Sequence, residues 1–417
     1  MKRQRLYCCV IILLITVGSI NSQAGENTFY SSLAATDEFD FPFEDAYTDA
    51  GLYLHALANF DYHPRWHFEW QENLFSGNAL QITTGSVTSK ELLVDGQLML
   101  NQDLSKGWWF SMRGLWRSTF HHNKRDITAY LGLERQIIKN STIFLLFHPR
   151  YDKEFADAQI GFSLYGKNRQ QYLNLAMVIE DFSYDHKNDR GGETNQMPIG
   201  MQWFLRYGKG KWWIYSDGNI GTGFKRSFPD PEKSPLTTSH QQQVNYFNVK
   251  LFYKADLSSL LELSIYQYRF VDAKTFYQSE NDYDYRNVIN DVSIQYVLPF
   301  REKYRLRLLT HYVHQEAKAV GYRQHEYSRD DIIPAAFLEW IQDDHMVDVG
   351  YMFTWFNWSY VAGIENRSYQ LNDGYFDKIY LGYTYQFNAN AVLHISISHQ
   401  IKVSGFGGAN AQYMMFF

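Results

Sequence analysis

The chain has 417 residues, with 39 Lys and Arg against 45 Asp and Glu, and 18% of it is aromatic. A net charge of −6 makes it a poor partner for nucleic acid. A mean hydropathy of −0.41 excludes a bundle of transmembrane helices, but not strands that offer only alternate residues to lipid.

The N-terminus reads as an export signal. Lys2, Arg3 and Arg5 form a basic start, and Leu6 to Gly18 follow without a charge. That apolar stretch is shorter than the ~20 residues that span a bilayer. Ser22-Gln23-Ala24 puts small residues where a signal peptidase reads, so residues 1–24 are expected to be cleaved before Gly25. Cys8 and Cys9 both fall inside this signal, which leaves a mature chain without disulfides or Cys-metal chemistry. Removing the three basic residues leaves 36 Lys and Arg against the 45 acids.

Residues 25–47 do not alternate. Their centre, Thr36 to Asp45, is acidic and aromatic. Three readings remain open for this segment: a solvated periplasmic leader, a plug in a lumen, or a docking peptide for a periplasmic partner.

From residue 48 to residue 417 the pattern has period two, which means strands with one apolar face. Phe110, Met112 and Trp116 oppose Ser111, Arg113 and Arg117. Val292, Ile294, Tyr296 and Leu298 oppose Asp291, Ser293 and Gln295. Ile379, Leu381, Tyr383 and Tyr385 oppose Lys378, Tyr380, Gly382 and Thr384. Short turns are expected near Asp103–Gly107, Lys139–Ser141, Gly208–Gly210, Arg301–Lys303, Gln342–Asp344 and Asn388–Asn390. Longer polar loops are expected at 76–90, 182–196, 223–241, 272–286 and 316–331. Phe356-Asn357 is either a turn or an irregular point within one strand. A soluble sandwich would need more Gly and Pro punctuation, whereas Trp108-Trp109 and Trp212-Trp213 beside turns suit an interfacial belt. The expected fold is all-β: a single transmembrane antiparallel β-barrel of about 18 strands, within a range of 16 to 20.

These features resemble the outer-membrane β-barrel proteins of Gram-negative bacteria as a class. The resemblance covers residues 48–417. It implies an integral outer-membrane location, short periplasmic turns and longer extracellular loops. A last strand with Tyr413, Met415 and Phe417 on one face looks like the class's signal to the barrel-insertion machinery.

Catalytic constellations are weak. Tyr184-Asp185-His186-Lys187-Asn188-Asp189 superficially resembles the His-bearing loop of outer-membrane phospholipases, but no serine follows it before Gln196. A solvated loop is the better account, so an outer-membrane hydrolase is disfavoured and no enzyme activity is expected. His121-His122 and His311/His314 are the closest histidine pairs, and residues an odd number apart diverge on a strand. No metal site or cofactor is expected.

The interior remains. Charges on a lipid face cost a few kcal/mol near the midplane, so alternation assigns them inward. The inward basic candidates are Arg113, Arg117, Arg206, Lys250, Arg305, Arg307 and Lys378; the acids are Asp95, Glu134, Asp157, Glu262, Asp291 and Asp348. Arg305 and Arg307 are either basic rungs facing water or guanidiniums locked to neighbouring carboxylates. A channel for hydrophilic solutes, with saccharides among the candidates, is the expected function. The rival is a non-conducting barrel that anchors or assembles partners.

Overall fold

The computed structural model describes residues 79–416, apart from connections at 87–91, 120–123, 149–157, 166–171, 180–192, 197–198, 222–223, 230–236, 255–258, 276–282, 302, 322–324, 363–366, 389–390 and 402–404. The expected signal, the 25–47 leader and the first segments from residue 48 lie outside the described residues.

Among the described residues, twenty strands form one sheet. In chain order they are β1 (Ala79–Ser86), β2 (Leu92–Ser105), β3 (Trp108–Thr119), β4 (Lys124–Ile138), β5 (Ser141–Phe147), β6 (Ala158–Tyr165), β7 (Tyr172–Ile179), β8 (Glu193–Gln196), β9 (Ile199–Lys209) and β10 (Trp212–Gly221). They continue as β11 (Phe224–Pro229), β12 (Thr237–Lys254), β13 (Leu260–Thr275), β14 (Tyr283–Arg301), β15 (Tyr304–Gly321), β16 (His325–Gln342), β17 (His345–Ala362), β18 (Arg367–Asn388), β19 (Ala391–Gln400) and β20 (Gly405–Phe416). Neighbours in sequence pair antiparallel almost throughout. Near the middle, β7 pairs with β9, β8 with β11, and both β10 and β11 with β12. At the ends, β1 pairs with β2 on one side and with β20 on the other, each over eight residues.

Alternation shapes the sheet as the sequence implies. On β15, Arg305, Arg307, Leu309, His311, Val313 and Gln315 are buried, whereas Leu308 and Tyr312 between them are exposed. The same contrast holds on β5, where Thr142, Phe144 and Leu146 are buried and Ile143, Leu145 and Phe147 are exposed. One face therefore holds most of the buried polar groups, and the other carries exposed Leu, Ile, Tyr and Trp.

Tight turns join the strands at one end. Lys106 and Gly107 both take positive φ (51° and 78°) between β2 and β3, the handedness that matches a two-residue hairpin. Glycine carries no Cβ penalty there. These turns are also tied to a strand beyond their own hairpin. The Gly107 carbonyl accepts from Gln136 N at 2.8 Å, Lys303 O from Ile341 N at 2.8 Å, and Asp344 O from Gln386 N at 2.9 Å.

Several expected loops are strand instead. The 76–90 segment contains β1, and 316–331 is nearly filled by the ends of β15 and β16. The 272–286 and 223–241 segments likewise carry parts of β11 to β14, and β8 lies within 182–196. The physical reason is that alternation fades where neither face meets hydrocarbon, while backbone pairing goes on. Phe356-Asn357 is not a turn. β17 runs through it, and the register against β18 shifts between Phe356 and Trp358.

Candidate functional site in the barrel wall

The strongest concentration of ionisable side chains lies on the buried face of β15 to β19, close to the tight turns. Register builds it in rows. Arg305 on β15 stands opposite Glu339 on β16, which stands opposite Asp348 on β17, which stands opposite Gly382 on β18. The next row on the same face reads Arg307, Phe337, Gly350, Tyr380.

Contacts link the two rows. Arg305 Nη2 lies 2.8 Å from Glu339 Oε2, and Arg307 Nε donates to Glu339 Oε1 at 2.8 Å. Arg307 Nη2 also lies 3.7 Å from Asp348 Oδ2. The guanidinium of Arg307 sits 4.1 Å from the centre of the Phe337 ring. Arg307, Glu339 and Asp348 are all 0% exposed. Two guanidiniums and two carboxylates thus share one buried cluster. Charge-assisted bonds of this length are strong, but they work against a large desolvation cost, so such a cluster fixes geometry more than it adds net stability.

Glycines make room for it. The Phe337 ring covers Gly350, where an added Cβ would come within 2.1 Å of the ring, and Asp348 lies across Gly382, where one would come within 2.4 Å of Oδ1. Phe337 then meets Tyr380 edge-on, at 5.3 Å between centroids and 88° between planes. Tyr380 Oη and Thr384 Oγ1 engage the two ring nitrogens of His394, each at 3.0 Å. The sequence reading did not find this aromatic-over-glycine device. A mid-strand glycine at an inward position was the available signal, and the pairing with an aromatic recurs at Phe144–Gly161, Trp203–Gly218 and Trp213–Gly208.

Smaller polar groups line the same face elsewhere. Lys250 Nζ lies 3.3 Å from Glu262 Oε1, and Gln295 Nε2 donates to Glu262 Oε2 at 3.2 Å. His311 Nδ1 lies 3.1 Å from both oxygens of Asp291. Glu134 accepts from Ser111 Oγ at 3.1 Å and also from Thr142 Oγ1, one partner from each neighbouring strand. His314 does not join His311. It lies on the opposite face, with Nδ1 2.9 Å from Asp330 Oδ1.

The other candidates are placed by register. Arg117 stands opposite Asp95 and Asp126, Arg113 opposite Met99 and Tyr130, and Arg206 opposite Tyr172 and Tyr215. Lys378 stands between Met352 and Gln400. On the last strand Tyr413 Oη donates to Met415 Sδ at 3.3 Å. Asp157, Phe417, His121-His122 and Tyr184–Asp189 lie outside the described residues.

A sheet with exposed Leu, Ile, Tyr and Trp on one face and paired charges on the other has the architecture of the integral β-barrel proteins of bacterial outer membranes. That class rests on the geometry of the chain itself. No protein-family model and no curated protein matches the chain. Among solved structures it is similar to a bacterial polysaccharide outer-membrane secretin, at 8% identity and TM-score 0.40, with 82% of this chain and 99% of that one covered. It is also similar to an outer-membrane channel from Pseudomonas putida F1 (12% identity, TM-score 0.35, 82% and 96% covered). A third is OccK2 of Pseudomonas aeruginosa in complex with glucuronate (11% identity, TM-score 0.31, 81% and 96% covered).

Proposed function

We propose that the protein is a non-enzymatic outer-membrane channel for hydrophilic solutes, formed by one closed barrel of eighteen staves. The count treats β8–β9 and β10–β11 as one stave each among the twenty strands, since β8 pairs with β11 as β9 pairs with β10. Pairing of β1 with both β2 and β20 supports closure. A barrel of this width encloses more space than its own wall side chains fill, unless loops or a leader occupy it. The observation that carries the reading is the polar inner face, with ionisable groups on β4 and on β12 to β19.

The test is planar-bilayer recording on the purified full chain in KCl. Unitary conductance steps are the expected result, and a folded, inserted protein that stays silent contradicts the channel. A second reading, a non-conducting anchor, is favoured by one observation: the inner-wall charges at Arg305, Arg307, Glu339 and Asp348 are engaged with one another and almost wholly buried. Silence that persists after deletion of residues 25–47 supports that reading. The signal at 1–24, the leader at 25–47 with its periplasmic partner, and the insertion role of Tyr413, Met415 and Phe417 belong to the same proposal.

A further inference from the structure

At the tight-turn end of β3 to β5, a cation lies on the face that meets lipid. Arg135 on β4 stands opposite Trp108 on β3 and Ile143 on β5, and all three are exposed. Glu134 beside it is buried and faces the interior, where Ser111 and Thr142 donate to it. The Arg135 guanidinium lies 4.9 Å from the centre of the Trp108 ring. Leu133, two residues back along β4, is an exposed apolar side chain of the same face. An arginine is costly at the midplane of a bilayer but costs little near its interface, where tryptophan also settles.

Two further cations gather around it. The bond from Gln136 N to the Gly107 carbonyl brings the Lys106-Gly107 turn against β4 beside Arg135. Lys139 lies in the next turn, between β4 and β5. At about 3.4 Å per residue, Arg135 and Lys139 lie within about 14 Å of each other, a gap that two long side chains narrow from both ends. The exposed charges of these two hairpin ends are Lys106, Arg135 and Lys139 against Asp103. Leu104, Ile137 and Ile138 in the same hairpin ends are exposed as well. Cations interleaved with bare apolar side chains fit a partner that is itself charged at one end and apolar at the other.

We propose that this patch binds an anionic glycerophospholipid of the leaflet at the tight-turn end. Its phosphate sits among Arg135, Lys106 and Lys139, and its acyl chains lie along Leu133 and Ile143 on the exposed apolar face. Arg135 supplies a planar fork for two phosphate oxygens, and Trp108 steadies the guanidinium through its ring face. Ile137 and Ile138 cover the glycerol region. Each basic residue near an anionic membrane surface adds its own increment of attraction, so three together separate an anionic headgroup from a zwitterionic one. The site needs the barrel in lipid and does not need an open lumen, so it goes beyond the channel reading.

The probe is phosphatidylglycerol, with phosphatidylcholine of equal chain length as its zwitterionic counterpart. Native mass spectrometry of the full chain, released from detergent with each lipid added, reads the lipid retained. The wild type keeps phosphatidylglycerol at concentrations where phosphatidylcholine is lost. Arg135→Gln with Lys139→Gln weakens phosphatidylglycerol retention by about tenfold or more and leaves phosphatidylcholine unchanged. Arg135→Lys keeps most of the preference, which separates lost charge from lost folding, and heat-modifiable gel migration reports the fold of each variant. Lys209→Gln with Lys303→Gln, at other turns of the same end, leaves the preference where it was. Equal retention of the two lipids by the folded wild type overturns the proposal. So does a preference that survives the Arg135 and Lys139 substitutions, or one that falls as far with the Lys209 and Lys303 pair. Displacement of the lipid by glycerol 3-phosphate at equal concentration shows a site for soluble phosphate, and the lipid reading falls. Silence in planar bilayers together with retained phosphatidylglycerol removes the channel and leaves this site standing.

Discussion

Phe337 on β16 and Gly350 on β17 stand directly opposite each other, and the ring occupies the space where a Cβ at 350 would come within 2.1 Å of it. Phe337 is wholly buried and is also the surface against which Arg307 and Tyr380 rest. Gly350→Ala therefore forces the ring off its place and destabilises the barrel by about 2 kcal/mol, within the usual range for overpacking. Phe337→Ala leaves a cavity and costs about 3–5 kcal/mol. In the double variant the new methyl enters the vacated space, so the two losses sum to more than the measured one. Urea unfolding in lipid vesicles, followed by tryptophan fluorescence, reads all three.

Glu339 is the shared partner of Arg305 and Arg307. Glu339→Gln leaves two buried guanidiniums with Asp348 as the remaining acid of the cluster, and removing one side of a buried ionic group costs about 3–5 kcal/mol. The expected result is a lower urea midpoint with an unchanged slope. A loss below about 0.5 kcal/mol, the size of an exposed pair, would show that the cluster is open to water.

Ion selectivity should not depend on those two arginines. Arg305 is 6% exposed and Arg307 0%, so neither presents its charge to a permeating solute. Arg305→Gln with Arg307→Gln lowers stability and leaves the reversal potential in a salt gradient where it was. A shift toward cations in a folded variant would make the pair a basic rung after all.

His394 uses both ring nitrogens, with Tyr380 on one side and Thr384 on the other. His394→Leu keeps the volume roughly but removes the partner of the Thr384 hydroxyl in a buried site and one partner of Tyr380, at a cost of about 1–3 kcal/mol. Thr384→Val in the same background recovers part of that loss, because the hydroxyl that lost its partner is then gone. Thermal gel-shift midpoints of the two variants make the comparison.

Much of this was legible before any coordinates. Alternation along β15 separates Arg305, Arg307 and His311 from Leu308 and Tyr312, and the burial contrast follows the same parity. The tight turns at Lys106-Gly107 and Asp343-Asp344 were legible for the same reason, since both lie between alternating runs. The ends of the strands were not. At Glu316–Gly321 and His325–Asp330 the apolar period is lost, yet cross-strand pairing continues, and pairing is invisible in a single chain. Register was equally hidden. That Glu339 meets both arginines, or that Asp348 lies across Gly382, depends on how β16 and β18 align with their neighbours. Such alignments are set by turns and packing, not by the composition of any one strand.

The exposed face of this sheet meets lipid, and the buried face does not. Both cysteines lie at positions 8 and 9, within the expected cleaved signal, so single-cysteine spin labels can be placed one at a time along β15 from Leu306 to Val313 of the full chain in vesicles. Collision with oxygen, which concentrates in hydrocarbon, is expected to be high at 306, 308, 310 and 312 and low at 307, 309, 311 and 313. A water-soluble nickel chelate is expected to quench the even positions poorly. Strong quenching by the chelate at Leu308 and Tyr312, or accessibility without a period of two, would contradict the barrel in lipid.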